Sequence, residues 1–186
     1  MCGVKKMELW DAYDRAGNQT GGVLVRGEAI PEGLYHLVCG ILVEHVDGTY
    51  LLMKRHPQKE TWPGVYEASG GGSVLAGEEV DRAALRELYE ETGIHSEKLI
   101  PLYEECRKQS LYYGYLCKTD CPKDSIVLQE GETVGYRWVT TQEMQEMMQI
   151  TPPVCIIQRG VRVYLGLMEM EGQKDLQVFL RKGDGI

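Results

Sequence analysis

The chain has 186 residues, 43% of them hydrophobic, enough for one domain with a core of its own plus short extensions. Its 20 lysines and arginines are outnumbered by 28 aspartates and glutamates, a formal charge of -8 that argues against polymeric DNA or RNA as a partner; a small anionic ligand needs local cations or bound metal to hold it. No apolar run is long enough to cross a bilayer, and Met1 to Lys6 holds no signal-peptide core, so the expectation is no membrane partner and a cytoplasmic location.

Residues 7–13 predict a short strand, 14–22 a turn, and Val23 to Val25 a return strand that closes a hairpin. Tyr35 to His45 is an apolar, β-favouring run; Asp47-Gly48 is a hairpin signal, and Thr49 to Lys54 is the strand that returns from it. Residues 57–64 predict a loop, and Val65 to Ser69 a short strand entering the three glycines Gly70, Gly71 and Gly72. A helix is expected over Glu78 to Thr92, with Glu78 and Glu79 in its first turn and Gly93 just past its end. Strands follow at 98–105, 110–117 and 134–139, then a helix over 142–149 capped at Thr140-Thr141. Val154 to Met168 reads either as a helix interrupted at Gly160 or as a helix followed by a strand. The pattern is α+β around one mixed sheet, organised as an N-terminal hairpin or extension (1–33), a main domain (34–168) and a C-terminal tail packed on it (169–186).

The six cysteines are scattered without a C-x-x-C pair, and Cys117 and Cys121 have no second pair to complete a zinc site, so reduced thiols are expected.

The stretch that carries chemistry runs from Gly72 to Ile94, GSVLAGEEVDRAALRELYEETGI. A helical residue turns by about 100°, which stacks Glu87 and Glu91 one turn apart on one face, with Glu90 on its edge. Like charges at that spacing repel by a few tenths of a kcal/mol, roughly, so a positive partner is called for. Hard divalent cations take oxygen ligands, and Mg²⁺ is usually held by one or two carboxylates together with substrate phosphate; Mn²⁺ is the alternative. The glycines permit close approach of chain and ligand, and the entry to the helix offers backbone carbonyls and amides.

Gly72, Glu78, Arg86-Glu87-Leu88, Glu90-Glu91 and Gly93-Ile94 stand at spacings that resemble the signature of the Nudix hydrolase family at every fixed position. The resemblance implies an α/β/α sandwich with a mixed central sheet. It also implies water attack at phosphorus in a small substrate containing a diphosphate, with Mg²⁺ held by Gly71, Glu87, Glu90 and Glu91. Arg86 would then orient the glutamates and Glu78 would brace the loop. The proton-accepting carboxylate lies either on the helix, at Glu90, or on a later loop. There Glu132 is the candidate and Glu130 its near competitor, beside the reading of an ordinary acidic loop. Lys54 and Arg55 either contact phosphate or form a solvated strand end; Trp62, beside Tyr66, either stacks on a base or packs. A homodimer is a state the resemblance allows.

Glu8-Leu9-Trp10-Asp11, Tyr35-His36-Leu37, Lys54-Arg55 and Trp62-Pro63-Gly64 resemble the Nudix subgroup related to isopentenyl-diphosphate isomerase. That makes an isomerase the rival reading. The isomerases place a cysteine in the loop that here reads Ser69-Gly70-Gly71-Gly72-Ser73, and none stands there. A third reading is a Nudix domain that binds a nucleotide without cleaving it, against which Glu87, Glu90 and Glu91 are all retained.

Overall fold

The computed structural model describes residues 7–169, 174–180 and 182. Strands β1 (Leu9–Tyr13) and β2 (Gln19–Val25) form an antiparallel hairpin that is a sheet of its own. The second strand begins at Gln19 rather than Val23, because the turn closes tightly. The Asp14 carboxylate accepts hydrogen bonds from the backbone of Ala16 and Asn18 and from the Asn18 amide, so the turn ends by Asn18.

The main sheet contains β3 (His36–His45), β4 (Tyr50–Arg55), β5 (Tyr66–Ala68), β6 (Gly70–Ser73), β7 (Ile100–Arg107), β8 (Ser110–Thr119), β9 (Thr133–Val139), β10 (Cys155–Ile156) and β11 (Leu176–Val178). Its order is β10-β5-β4-β3-β8-β7-β11, with β6 also paired to β3 and β9 to β4. Helix α1 (Val80–Thr92) covers one face; α2 (Thr141–Gln149) and α3 (Arg159–Tyr164) pack with the core of the other. The architecture is therefore α+β, a mixed sheet between helices. No helix among the described residues is long and apolar enough to cross a membrane.

Alternation along β3 builds both layers. Cys39, Ile41 and Val43 pack with Ala83, Ala84 and Leu88 of α1, whereas Leu42 joins Met144, Met147, Val161 and Tyr164 beneath α2 and α3. A strand buried on both faces reads as one apolar run, as 36–45 does. Each such aliphatic side chain contributes roughly 1.5–3 kcal/mol when fully buried.

One parting shapes the site. Strands β3 and β4 pair only at Glu44↔Tyr50, next to their turn. Beyond it β3 runs parallel to β8 and takes β6 on its other side, while β4 pairs with β9 and β5. A cleft opens where the two strands separate. The glycines 70–72, expected as a loop, form strand β6 and pair with Cys39, Gly40 and Ile41.

In the segment 154–168 neither expected form occurs: a two-residue strand comes first, and the short helix that follows contains Gly160 rather than breaking at it. Strand β10 finds its ladder on β5, a partner far away in sequence. In the tail, β11 pairs with β7, and Leu176 and Leu180 are buried; residues 170–173, 181 and 183–186 lie outside the described residues. The described cysteines are free thiols, and Cys2 lies outside the described residues.

Candidate active site

Helix α1 starts two residues later than expected, at Val80, with Glu79 extended at its N-cap. Gly77 takes φ 76° and donates its N–H to Asp11 of β1, which turns the chain before the helix begins. Glu78 and Glu79 therefore precede the first turn, and Asp81 is the acid within it. Gly93 ends the helix in the left-handed region at φ 73°.

Standing outside the helix lets Glu78 reach back along it. Its carboxylate takes two hydrogen bonds from Arg86, each 2.9 Å, and one from the Leu75 N–H at 3.2 Å. The same guanidinium donates to Glu87 at 2.7 Å and to Glu90 at 3.2 Å. Arg86 is thus a hub for three carboxylates. Its hydrogen bonds to Glu78 and then Glu87 push its own pKa up, and the Arg86 bond holds Glu78 below the usual carboxylate range.

Glu91 turns to the glycine strand, where its Oε2 accepts the Gly71 N–H at 3.2 Å. Burial first, then the negative charges of Glu87, Glu67 and Glu132, push its pKa up to about 8, although the Gly71 bond works the other way. Burial also raises Glu87, against the pull of Arg86. Strand β6 is squeezed between β3 and this helix. A Cβ at Gly72 would run into the Glu87 carboxylate, and one at Gly71 would come within 2.6 Å of the Cys39 carbonyl. Glycine is required there for closeness.

Among the described residues, no three His, Cys, Asp or Glu side chains already converge as a metal cage. Arg86 holds Glu87 and Glu90 on one side while Glu91 leans to Gly71 on the other. The donor set nevertheless suits a hard divalent cation: Glu87, Glu90 and Glu91 line one cleft with the glycine strand, and Glu87 and Glu91 are raised by burial and by neighbouring acids, which a cation would relieve.

The cleft has a volume of about 550 Å³. On the wall opposite α1, Arg55 donates to Glu67 at 2.5 Å and to the Thr61 carbonyl at 3.1 Å. Lys59 forms an ion pair with Glu132, and the Glu132 carbonyl accepts the His56 N–H at 2.8 Å. The structure thus brings Gly71, Arg86, Glu87, Glu90, Glu91, Arg55 and Glu132 to one cavity. Lys54 and Trp62 lie outside its lining. Adjacent strand residues point to opposite faces, so Lys54 turns away from Arg55 and lies over the Tyr66 ring, 5.8 Å from its centre. Trp62 is 54% exposed, on a bend at φ 51°, and neither packs in the core nor reaches the cleft.

Sequence reasoning missed Lys59 and Glu67 on that wall, Glu8 and Arg26 of the hairpin at the rim, and Tyr112 and Gln158. The alternating tyrosines of β8 were a weak signal for Tyr112. No local pattern marks the others, which strand pairing brings in.

Comparison with known proteins agrees with this geometry. A family model of the NUDIX domain matches residues 34–156. An uncharacterized Nudix hydrolase of Listeria monocytogenes is 33% identical over 148 residues, covering 76% of this chain and 85% of that protein. An isopentenyl-diphosphate Delta-isomerase of Citrobacter koseri is similar at the lower identity of 23%, over 75% of this chain and 81% of its own. Among solved structures, DR0079 of Deinococcus radiodurans superposes with a TM-score of 0.64 at 20% identity, covering 75% of this chain and 87% of that one, a likeness of fold. Signature, fold and family match converge: the chain belongs to the Nudix hydrolases, enzymes that cleave pyrophosphate bonds.

Proposed function

We propose that this protein is a Mg²⁺-dependent hydrolase that cleaves the diphosphate linkage of a nucleoside diphosphate-linked small molecule by attack of water at phosphorus. The observation that carries the reading is that Glu87, Glu90 and Glu91 all line one cleft with Gly71 and Gly72, with Glu91 raised to about 8 by burial and repulsion. In this reading those three glutamates and the Gly71 carbonyl hold the cation, and Arg86 positions Glu87 and Glu90. When bound, Mg²⁺ would neutralise charge on the diphosphate and make water a better nucleophile. Arg55 lines the same cleft and would meet the substrate phosphates there. A new oxygen–phosphorus bond forms from water, the bridging P–O bond breaks, and the water proton passes to a carboxylate. Glu90 and Glu132 both face the cleft and are the two bases to compare, Glu132 being held in place by Lys59.

The test is release of monophosphate or orthophosphate from a panel of nucleoside triphosphates, nucleotide sugars, dinucleotides and coenzymes, with MgCl₂ and with EDTA. Magnesium-dependent release from at least one of them is expected. Isopentenyl diphosphate belongs in the same panel, scored for isomer formation. Isomer formation with no hydrolysis of any diphosphate would overturn the reading.

A further inference from the structure

The turn that leads into α1 is held from outside the signature stretch. Leu75 to Glu78 closes on itself: the Glu78 N–H donates to the Leu75 carbonyl at 3.0 Å, and the Leu75 N–H to the Glu78 carboxylate at 3.2 Å. Gly77 stands inside this turn at φ 76°, and its N–H donates to the Asp11 carboxylate of β1, 2.7 Å from Oδ2. Beside it, the Ala76 N–H donates to the Leu9 carbonyl at 2.8 Å. Two successive N–H groups of the turn are therefore fixed by β1, one through its backbone and one through a carboxylate.

The hairpin can serve as a brace because it is itself anchored. Trp10, Ala12 and Leu24 are buried with Ile30 and Leu34 against them, and the Trp10 ring stacks on His36 of β3 with centres 4.2 Å apart. Tyr13 and Tyr35 exchange two backbone hydrogen bonds of 2.9 Å. Asp11 stands between the buried Trp10 and Ala12 on this strand. A carboxylate that accepts a backbone N–H makes a charge-assisted bond, stronger than a neutral one. From the turn the contacts run on to the acids without a break. Glu78 binds Arg86, eight residues on, through both its oxygens, and Arg86 binds Glu87 and Glu90. Glu78 makes that reach from outside the helix, and the turn at Gly77 is what puts it there.

The hairpin precedes the residues 34–156 that the family model matches. We propose that Asp11 is a positioning residue of the metal site. By holding the Gly77 N–H it fixes the turn, the turn sets Glu78 against Arg86, and Arg86 sets Glu87 and Glu90 ready for a divalent cation. Asp11 is not among the residues that line the cleft, so it acts through the turn and touches neither cation nor substrate. This rests on the metal-dependent reading above and names the brace of its metal site.

The experiment compares wild type, Asp11→Ala and Asp11→Asn, since Asn keeps an oxygen that can accept the Gly77 N–H and Ala does not. The Arg86 Nε–H, which donates to Glu78, is followed by NMR in the metal-free proteins. Its exchange with water should be about fivefold faster in Asp11→Ala and close to wild type in Asp11→Asn. Mn²⁺ alone is then titrated, with the free ion read by electron paramagnetic resonance. Its Kd should rise about fivefold in Asp11→Ala and stay within about twofold of wild type in Asp11→Asn. In hydrolysis assays the Mg²⁺ concentration for half-maximal rate should rise by about the same factor in Asp11→Ala, with kcat at saturating Mg²⁺ within about twofold of wild type. Equal Nε–H exchange or equal Mn²⁺ affinity in all three proteins overturns the proposal, even if Asp11→Ala has a lower Tm, and so does Asp11→Asn behaving like Asp11→Ala. Wild type that neither binds Mn²⁺ nor cleaves a diphosphate sinks the hydrolase reading instead. The Nε–H exchange then still judges Asp11: faster exchange in Asp11→Ala supports its hold on Arg86, and equal exchange overturns it. Should Asp11→Ala fail to fold, Asp11→Ser, whose hydroxyl stops short of the Gly77 N–H, supplies the same comparison.

Discussion

The two walls of the cleft differ in how they are built. The wall of α1 and β6 comes from one continuous stretch, in which helical spacing stacks Glu87 over Glu91 and Arg86 ties Glu78, Glu87 and Glu90 together. The facing wall is drawn from β4, β5, β8, the loop around Glu132 and the segment at Gln158, joined by sheet pairing over long separations. The difference teaches a division of labour. The family signature sits in local spacing, and the charges that face it come from distant segments joined by strand pairing.

The largest effect expected is on the first wall. Glu91→Gln should fold normally, since the new amide oxygen can still accept the Gly71 N–H, and turnover with Mg²⁺ should fall by about 10²–10³ or more. A folded variant with near-normal kcat would break the claim that this wall carries the reaction. Arg86→Ala comes next. It leaves three carboxylates without their common partner, so Mg²⁺ affinity or kcat/KM should drop roughly 10–100-fold, read by titration with metal and by steady-state kinetics.

Stability sharpens the same contrast through pH. Glu91, and in the same direction Glu87 and Glu67, hold protons more tightly in the folded chain than in the unfolded one. A raised carboxylate contributes stability that is fully present below its unfolded value near 4.5 and is lost as pH rises through the folded value, about 8 for Glu91. In EDTA, Tm should therefore fall between pH 5 and pH 9. Glu91→Gln should flatten that fall, and Mg²⁺ should raise Tm more at pH 8 than at pH 5. A metal-free Tm that climbs across this range would contradict the arrangement of acids described here.

On the facing side, Gly114→Ala drives a methyl group into the Tyr103 ring and should cost about 1–3 kcal/mol in urea denaturation. The smallest effect belongs to a site remote from both walls. Thr140→Ala removes the capping box of α2, where Thr140 and Glu143 satisfy each other's backbone N–H groups, and should cost about 1 kcal/mol with kcat/KM within twofold of wild type, roughly.

Much of this was legible in advance, and the misses have physical causes. The apolar run 36–45, the turn at Asp47-Gly48, the helix closed by Gly93 and the cap at Thr140 all follow from short-range preferences. Glycine has weak intrinsic preference for strand, so β6 exists only because β3 offers a ladder and α1 comes too near to admit a Cβ. Strand β10 is equally dependent on β5. Lys54 and Arg55 looked alike until the pleat sent them to opposite faces.

The sequence by itself determined which acids share one face of α1, because residues three and four apart on a helix are placed by local geometry alone. Only the tertiary structure decided which charges answer that wall, where Glu132, Glu67 and Lys59 stand, and that Gln158 reaches the cleft at all. Those positions follow from strand pairing and packing between segments far apart in the chain, and no periodicity along the sequence records them.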